Sequence, residues 1–202
     1  MKLYYMPGAC SMSSNIVAEE TGQKLELIKV DGATKKTEHG DDYRAINPNG
    51  YVPALILDDG TILTENIALL GFLADAPDAG ELAMPTDRVK RAQLWSLLSY
   101  LTSEVHKAYS PLFARPDEET RTKLVAKLDQ RLQTLENTLA TDKYLFDNKF
   151  SVADAYALVM LNWSDKLGHS LEAFPNIQAY RARGAERPSV RRALIAEGLI
   201  KE

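Results

Sequence analysis

One cysteine occurs in the 202 residues of this chain. It is Cys10, in "YYMPGACSMSS", after a strand-like stretch and a Pro-Gly turn and before serines able to start a helix. A thiol at a helix N-terminus faces unpaired backbone N–H groups and the positive end of the helix dipole, which favour thiolate over thiol. The expected result is a lowered pKa and a thiol reactive at neutral pH. The competing reading is a small apolar filler, the usual part of a lone cysteine. Ser13 stands where a two-thiol redox motif would carry its second cysteine, so chemistry at Cys10 needs an external thiol.

Two further stretches hold groups suited to an extended, peptide-like ligand. In "GYVPALIL", Pro53 opens a strand, where it costs no ladder donor. A cis Val52–Pro53 bond would leave neighbouring backbone groups free to pair with such a ligand; an ordinary trans proline at a strand start is the alternative. In "TEN", Thr64 to Asn66, a helix start can receive a carboxylate, and Glu65 can receive an ammonium group; simple capping by Thr64 is the alternative. The histidines His39, His106 and His169 do not share metal-ligand spacing with other donors, so no metal is expected. Tyr5 and Ser11 are competing candidates for activating a thiol, with strand packing and helix capping as their plainer roles.

The elements that must position these groups change character along the chain. Strands are expected over Leu3–Met6 and Leu25–Val30, with a helix over Ser11–Thr21 stopped by Gly22. "NPNG" marks a turn, "VPALILDDGTIL" a hairpin through Asp59-Gly60, and "TENIALLGFLAD" a helix. That β-α-β-β-β-α order implies a parallel pair extended by antiparallel strands. After a Pro/Gly-containing linker the chain is almost all helical. Leu94, Leu97, Leu98, Leu101 and Val105 follow helical spacing, as do Leu124, Leu128, Leu132, Leu135 and Leu139. "FSVADAYALVMLNW" reads as a third long helix, with Ser151 and Asp154 in a capping-box relation, and Pro175 and Pro188 mark two more helix starts. At about 100° per residue, Ser99, Ser103 and His106 gather within roughly 60°, about 150° from the Leu94–Leu101–Val105 stripe.

Composition narrows the class. Hydrophobic residues make up 45% and the formal net charge is −4, which gives no overall basic bias toward nucleic acid or anionic membrane. A single cysteine leaves no disulfide framework and fits a reducing compartment. No stretch reads as a signal peptide or membrane span, so a cytoplasmic protein is expected.

Taken together, "MKLYYMPGACS", "AINPNGYVPAL", "DDGTILTEN", "SEVHKAYSPLF" and "FSVADAYAL", in this order along nearly the whole chain, resemble a cytosolic glutathione S-transferase of the bacterial beta class. The resemblance implies an α/β plus all-α chain: a thioredoxin-like, glutathione-binding domain over 1–78, a linker over 79–86 and an all-helical domain over 87–202. It implies that Cys10 faces the glutathione sulfur and that Lys35 binds the glycine carboxylate. Val52, before the family's cis-proline at Pro53, is expected to pair with the cysteinyl part, and Glu65 and Asn66 with the γ-glutamyl end. Ser99, Ser103, Glu104, Val105 and His106 fall on or beside further glutathione contacts, some reaching the neighbouring subunit of a homodimer, with Cys10 and His106 as the catalytic pair. Asn66 stands where a small residue is usual, and Ser99 where Asn is usual. Glutathione is then the co-substrate, and a small, mostly apolar electrophile the second substrate, against residues such as Tyr109, Pro111, Leu112 and Phe113. Three activities fit: conjugation in detoxification, glutathione-dependent disulfide exchange at Cys10, or binding without turnover.

Overall fold

The computed structural model describes residues 1–201, which fall into two compact units. The first comprises Met1–Met84 together with the chain from Arg187 on, and the second is Pro85–Glu186.

The first unit is built on a four-stranded sheet in the order β2-β1-β3-β4. Strand β1 (Lys2–Tyr5) runs parallel to β2 (Glu26–Lys29), joined by helix α1 (Met12–Thr21). Strands β3 (Ala54–Ile56) and β4 (Ile62–Thr64) complete it antiparallel, and helix α2 (Asn66–Ala74) follows. Pairing of Leu3 with Leu55 and of Tyr4 with Ala54 sends alternate side chains to opposite faces. Fully buried Leu3, Leu55, Ile16, Leu69, Leu70 and Leu73 make one core. Tyr4, Ile28, Val30, Tyr43, Val52 and Ala54 make a second cluster, in which the rings of Tyr4 and Tyr43 stack at 5.5 Å. Gly22 ends α1 with φ at +69°, as its position in the sequence predicts.

The second unit is helical. Helix α3 (Arg88–Tyr100) is capped by the Asp87 carboxylate, which accepts from Val89 and Lys90 N–H. It runs into a π-helical segment, Leu101–His106, then the short α4 (Lys107–Tyr109) and a 3-10 turn, Ser110–Ala114. Helix α5 (Glu118–Leu139) buries Leu128, Leu132, Leu135 and Leu139, the expected stripe. Helix α6 (Val152–Leu167) starts at the expected capping box, with Asp154 accepting from both the N–H and the hydroxyl of Ser151. Helix α7 (Pro175–Ala185) lies close on α6: a Cβ added to Gly184 would sit 2.5 Å from Leu158.

The last helix, α8 (Pro188–Ala196), groups with the first unit, whereas the sequence assigns everything after 87 to one helical domain. It packs on α1, where Arg187 and Ser189 reach Glu20 and Arg192 reaches Glu19. These pairs join positions about 170 apart in the chain, a range no local pattern reports.

Candidate active site

Cys10 sits where β1 turns into α1. The turn is closed by Ala9 N–H on the Met6 carbonyl, and Ser11 exchanges hydrogen bonds with the Met6 backbone through its hydroxyl. Ser11 is thus at the cap position without capping the helix by its side chain. Both Ser11 and Tyr5 are buried, and the Ser11 hydroxyl is engaged with the Met6 backbone. The Cys10 thiol is partly buried and donates to the Val52 carbonyl at 3.5 Å.

Burial pushes the Cys10 pKa up from 9.0 to about 11. Backbone N–H groups of Ser11 and Cys10 pull the other way, and the carboxylates of Glu65 and Glu197 add to the rise. The expectation of a thiolate at neutral pH is therefore overturned. Desolvation outweighs the helix start.

Val52 and Pro53 carry the second group. Their bond is cis. The Val52 N–H lies beyond the β1–β3 ladder and has no partner among the described residues. The preceding Tyr51 carbonyl is held by the Tyr43 hydroxyl and the Asn47 amide, which fixes the "NPNG" turn beneath it. Lys35 adopts φ of +58°, and its backbone bonds to Asp31 and Tyr43. Its aliphatic stem passes 3.5 Å from where a Cβ on Gly50 would lie, so glycine there leaves room for it. The ammonium makes no ion pair among the described residues.

Glu65, rather than Thr64, is the N-cap of α2, held at φ +69° and ψ 118°, a strained conformation for a residue with a side chain. Its carboxylate is exposed. Asn66 is buried and its amide meets the Ser13 hydroxyl at 3.1 Å; that hydroxyl donates to the Cys10 carbonyl at 2.7 Å. The large residue at position 66 is thus accommodated by a partner under Cys10. Cys10, Val52, Pro53, Glu65 and Asn66 come together in the first unit, with Lys35 reaching the same Gly50–Val52 turn.

One member of this region was missed by sequence reasoning. Glu197 is buried and accepts from the Gly8 N–H at 2.8 Å, in the loop that leads to Cys10. The two are 189 positions apart.

The remaining candidates lie in the helical unit. Ser99 and Ser103 are exposed, with the Ser103 hydroxyl donating to the Ser99 carbonyl at 2.9 Å. Glu104 pairs with Arg131 at 2.6 Å, and the Val105 side chain is in the core. The angles expected for an ideal α-helix do not carry through, because Leu101–His106 is wound as a π-helix. His106 is accordingly not a surface histidine. Its Nδ1 meets the Tyr156 hydroxyl at 2.5 Å, and its ring packs edge-on to Trp163 at 4.9 Å. Burial, with a smaller effect from Lys107, lowers its pKa to about 4, so the ring is neutral at pH 7. Of the expected electrophile-binding residues, Tyr109 and Leu112 are core side chains, Pro111 is half-buried and Phe113 is exposed.

Two families match the chain: the glutathione S-transferase N-terminal domain over residues 9–76 and the glutathione S-transferase C-terminal domain over 98–188. Glutathione S-transferase GstA of Escherichia coli O157:H7 is 43% identical over 201 residues, covering 98% of this chain and all of that protein. Glutathione S-transferase GST-4.5 of Xanthomonas campestris is 34% identical, again covering 98% of this chain and all of its own. Among solved structures, the bacterial beta-class enzyme of Sphingomonas chungbukensis superposes with a TM-score of 0.93 at 45% identity, covering 99% of this chain and 100% of that one. A sphingomonad glutathione S-transferase complexed with glutathione gives 0.93 at 44%, with the same coverage.

Proposed function

The chain belongs to the glutathione S-transferase family, and we propose that it conjugates reduced glutathione to electrophilic, mostly apolar substrates. The observation that carries this reading is the meeting of Cys10, the free Val52 N–H before a cis proline, and the strained Glu65–Asn66 helix start in one unit. An extended tripeptide would pair its cysteinyl backbone with Val52. It would place its γ-glutamyl carboxylate at the α2 N-terminus with its ammonium on Glu65, and its glycine carboxylate on Lys35. From the helical unit we assign Ser99, Ser103, Glu104, Val105 and His106 as further glutathione-binding residues, some of them serving the partner's ligand in a homodimer.

A neutral Cys10 thiol is a hydrogen-bond donor. Its part is to stabilise the thiolate brought by glutathione, which then attacks the electrophile; the electrophile's leaving group or π-electrons take up the displaced pair. A thiol held at about 11 is a poor attacking group at neutral pH, which argues against disulfide exchange as the main activity. Detoxification in the cytoplasm fits this chemistry, and no described helix is long and apolar enough to cross a membrane. Exposed Tyr51, Ile62 and Phe72 on the first unit are suited to cover by a second copy. Conjugation of glutathione to an electrophile panel, run beside a glutathione-dependent disulfide reductase assay, tests the proposal. Reductase turnover without conjugation would overturn it.

A further inference from the structure

Ser13 has no exposed surface, and its side chain joins the two helix starts of the first unit. Its Oγ lies 2.7 Å from the Cys10 carbonyl and 3.1 Å from both Oδ1 and Nδ2 of Asn66. A hydroxyl has a single proton to give, and the shorter contact takes it. Ser13 therefore donates to Cys10, and the Asn66 amide donates to Ser13. The Cys10 carbonyl also accepts from the Ser13 N–H at 3.0 Å, which fills both of its lone pairs. The line from Asn66 through Ser13 to Cys10 has one direction, and each bond polarises the next.

Helices α1 and α2 pack against each other. At their far ends the Gln23 side chain donates to the Leu73 carbonyl at 2.8 Å. The pair is thus tied at both ends, start beside start and end beside end. What these ties fix is the separation of the α2 start from the thiol-bearing start of α1.

The start of α2 is where strain has to be held. Glu65 takes φ +69° and ψ 118°, a conformation that persists only where its surroundings enforce it. Its carbonyl accepts from the N–H groups of Ala68 and Leu69 at 3.0 and 3.1 Å, and the next residue, Asn66, is anchored to α1 by its side chain. That side chain is buried and spent on Ser13. The backbone N–H groups of Asn66 and Ile67, by contrast, have no partner among the described residues.

We propose that Ser13 and Asn66 are positioning residues whose side-chain tie works as a ruler. It fixes how far the Glu65 helix start stands from Cys10, and so selects a ligand whose ammonium and carboxylate lie at γ-glutamyl reach from its cysteine. The proposal rests on the glutathione reading above. An α-linked glutamyl tripeptide has the same atoms and charges as the γ-linked one. It places its ammonium beside the peptide bond instead of at the far end of the chain, and parts it from the free carboxylate. A fixed separation rejects that isomer, and a loosened one tolerates it.

S-methylglutathione and its α-linked isomer, titrated against the full chain by NMR, test the ruler; the methyl group removes sulfur ionisation from the comparison. The wild type should bind the γ isomer at least about tenfold more tightly. Ser13→Ala and Asn66→Ala should each cut that preference about three- to fivefold, by weakening the γ isomer while the α isomer stays within about twofold; the double variant should be no worse than the worse single. A general loosening of the fold would weaken both isomers alike. A second readout needs no ligand. Amide exchange at Ala68 and Leu69 should quicken about tenfold in both single variants, while the Val30 N–H, bonded to the Tyr5 carbonyl at 2.8 Å, exchanges as in wild type. If the wild type binds neither isomer, the glutathione reading falls and the ruler with it. If the wild type binds both alike, or prefers the γ isomer and the variants keep that preference, the ruler is overturned and the glutathione reading stands. Additive single effects or unchanged exchange at Ala68 and Leu69 would also overturn it.

Discussion

The Cys10 thiol provides the sharpest test of the site. Burial raises its pKa from 9.0 to about 11, which makes thiolate about a hundredfold rarer at any pH well below 9. Only thiolate reacts with iodoacetamide, so alkylation of the free protein at pH 7.5 should run about a hundredfold slower than for an unfolded-chain thiol. The rate-against-pH curve should bend near 11 in the native state and near 9.0 in guanidinium. The same shift links to stability. Below about pH 9 the thiol is neutral in both states and its contribution is complete. As pH climbs from about 9 toward 11 the unfolded chain ionises while the native one does not, and about 2–3 kcal/mol of stability is lost. Cys10→Ser or Cys10→Ala should flatten that part of the stability curve. The catalytic consequence follows from the same protonation state. If Cys10 supplies one hydrogen bond to the glutathione thiolate, a charged acceptor, Cys10→Ala should lower kcat/KM by about ten- to a hundred-and-fiftyfold, the worth of about 1.5–3 kcal/mol. A native inflection at or below about 8.5, or a loss of conjugation by several orders of magnitude in Cys10→Ala, would refute the reasoning.

Other perturbations test the remaining parts. Lys35→Ala should weaken glutathione binding by about 1–3 kcal/mol, seen in the glutathione KM with kcat little changed; unchanged binding would make Lys35 a solvated loop charge. His106 has its pKa lowered to about 4 by burial, so its contribution is complete above pH 6.5 and is lost as pH falls through 4. Denaturant titrations should show up to about 3 kcal/mol lost across that window in wild type and a flatter profile in His106→Phe. Gly184→Ala drives a methyl to 2.5 Å from Leu158 and should destabilise by about 1–3 kcal/mol; a melting point equal to wild type would show that α7 can shift freely on α6. Sedimentation at micromolar concentration should give a dimer, and a monomer would remove the shared-site assignment of Glu104 and its neighbours.

Much of the fold was legible because its signals are local. Gly22 stops a helix, Ser151 and Asp154 start one, and the leucines of α5 repeat at helical spacing. The hairpin through Asp59-Gly60 was likewise marked by the residues that make it, whereas Pro53 alone left cis and trans open and only the family resemblance implied the cis bond that the structure has. What stayed hidden is long-range or depends on helix winding. Arg187 and Arg192 could not announce that α8 returns to α1, and Glu197 could not announce that it holds the Gly8 N–H. A six-residue π-helical segment inside a longer helix is too short to show in the hydrophobic pattern, so the ideal-helix angle assigned to His106 did not allow for it.

The misreading of Cys10 has a different cause. A helix start offers a charge about 0.3–1 kcal/mol, and up to about 2 in a buried geometry. Burial of a thiol away from water can shift its pKa by several units in the opposite sense, each worth about 1.4 kcal/mol. Sequence shows the first effect and conceals the second, because the groups from elsewhere that act on the Cys10 thiol, the Val52 carbonyl and the carboxylates of Glu65 and Glu197, lie far along the chain. Two carboxylates near the thiol, Glu65 and Glu197, then tip the balance further. One of them, Glu65, is also the residue assigned to the ligand's ammonium group. On that assignment, a cation paired with Glu65 would make the local potential at Cys10 less hostile to a negative sulfur. The strained Glu65 helix start and the neutral Cys10 thiol would then be parts of one electrostatic arrangement, in which the anion is brought by the ligand rather than stored in the free protein.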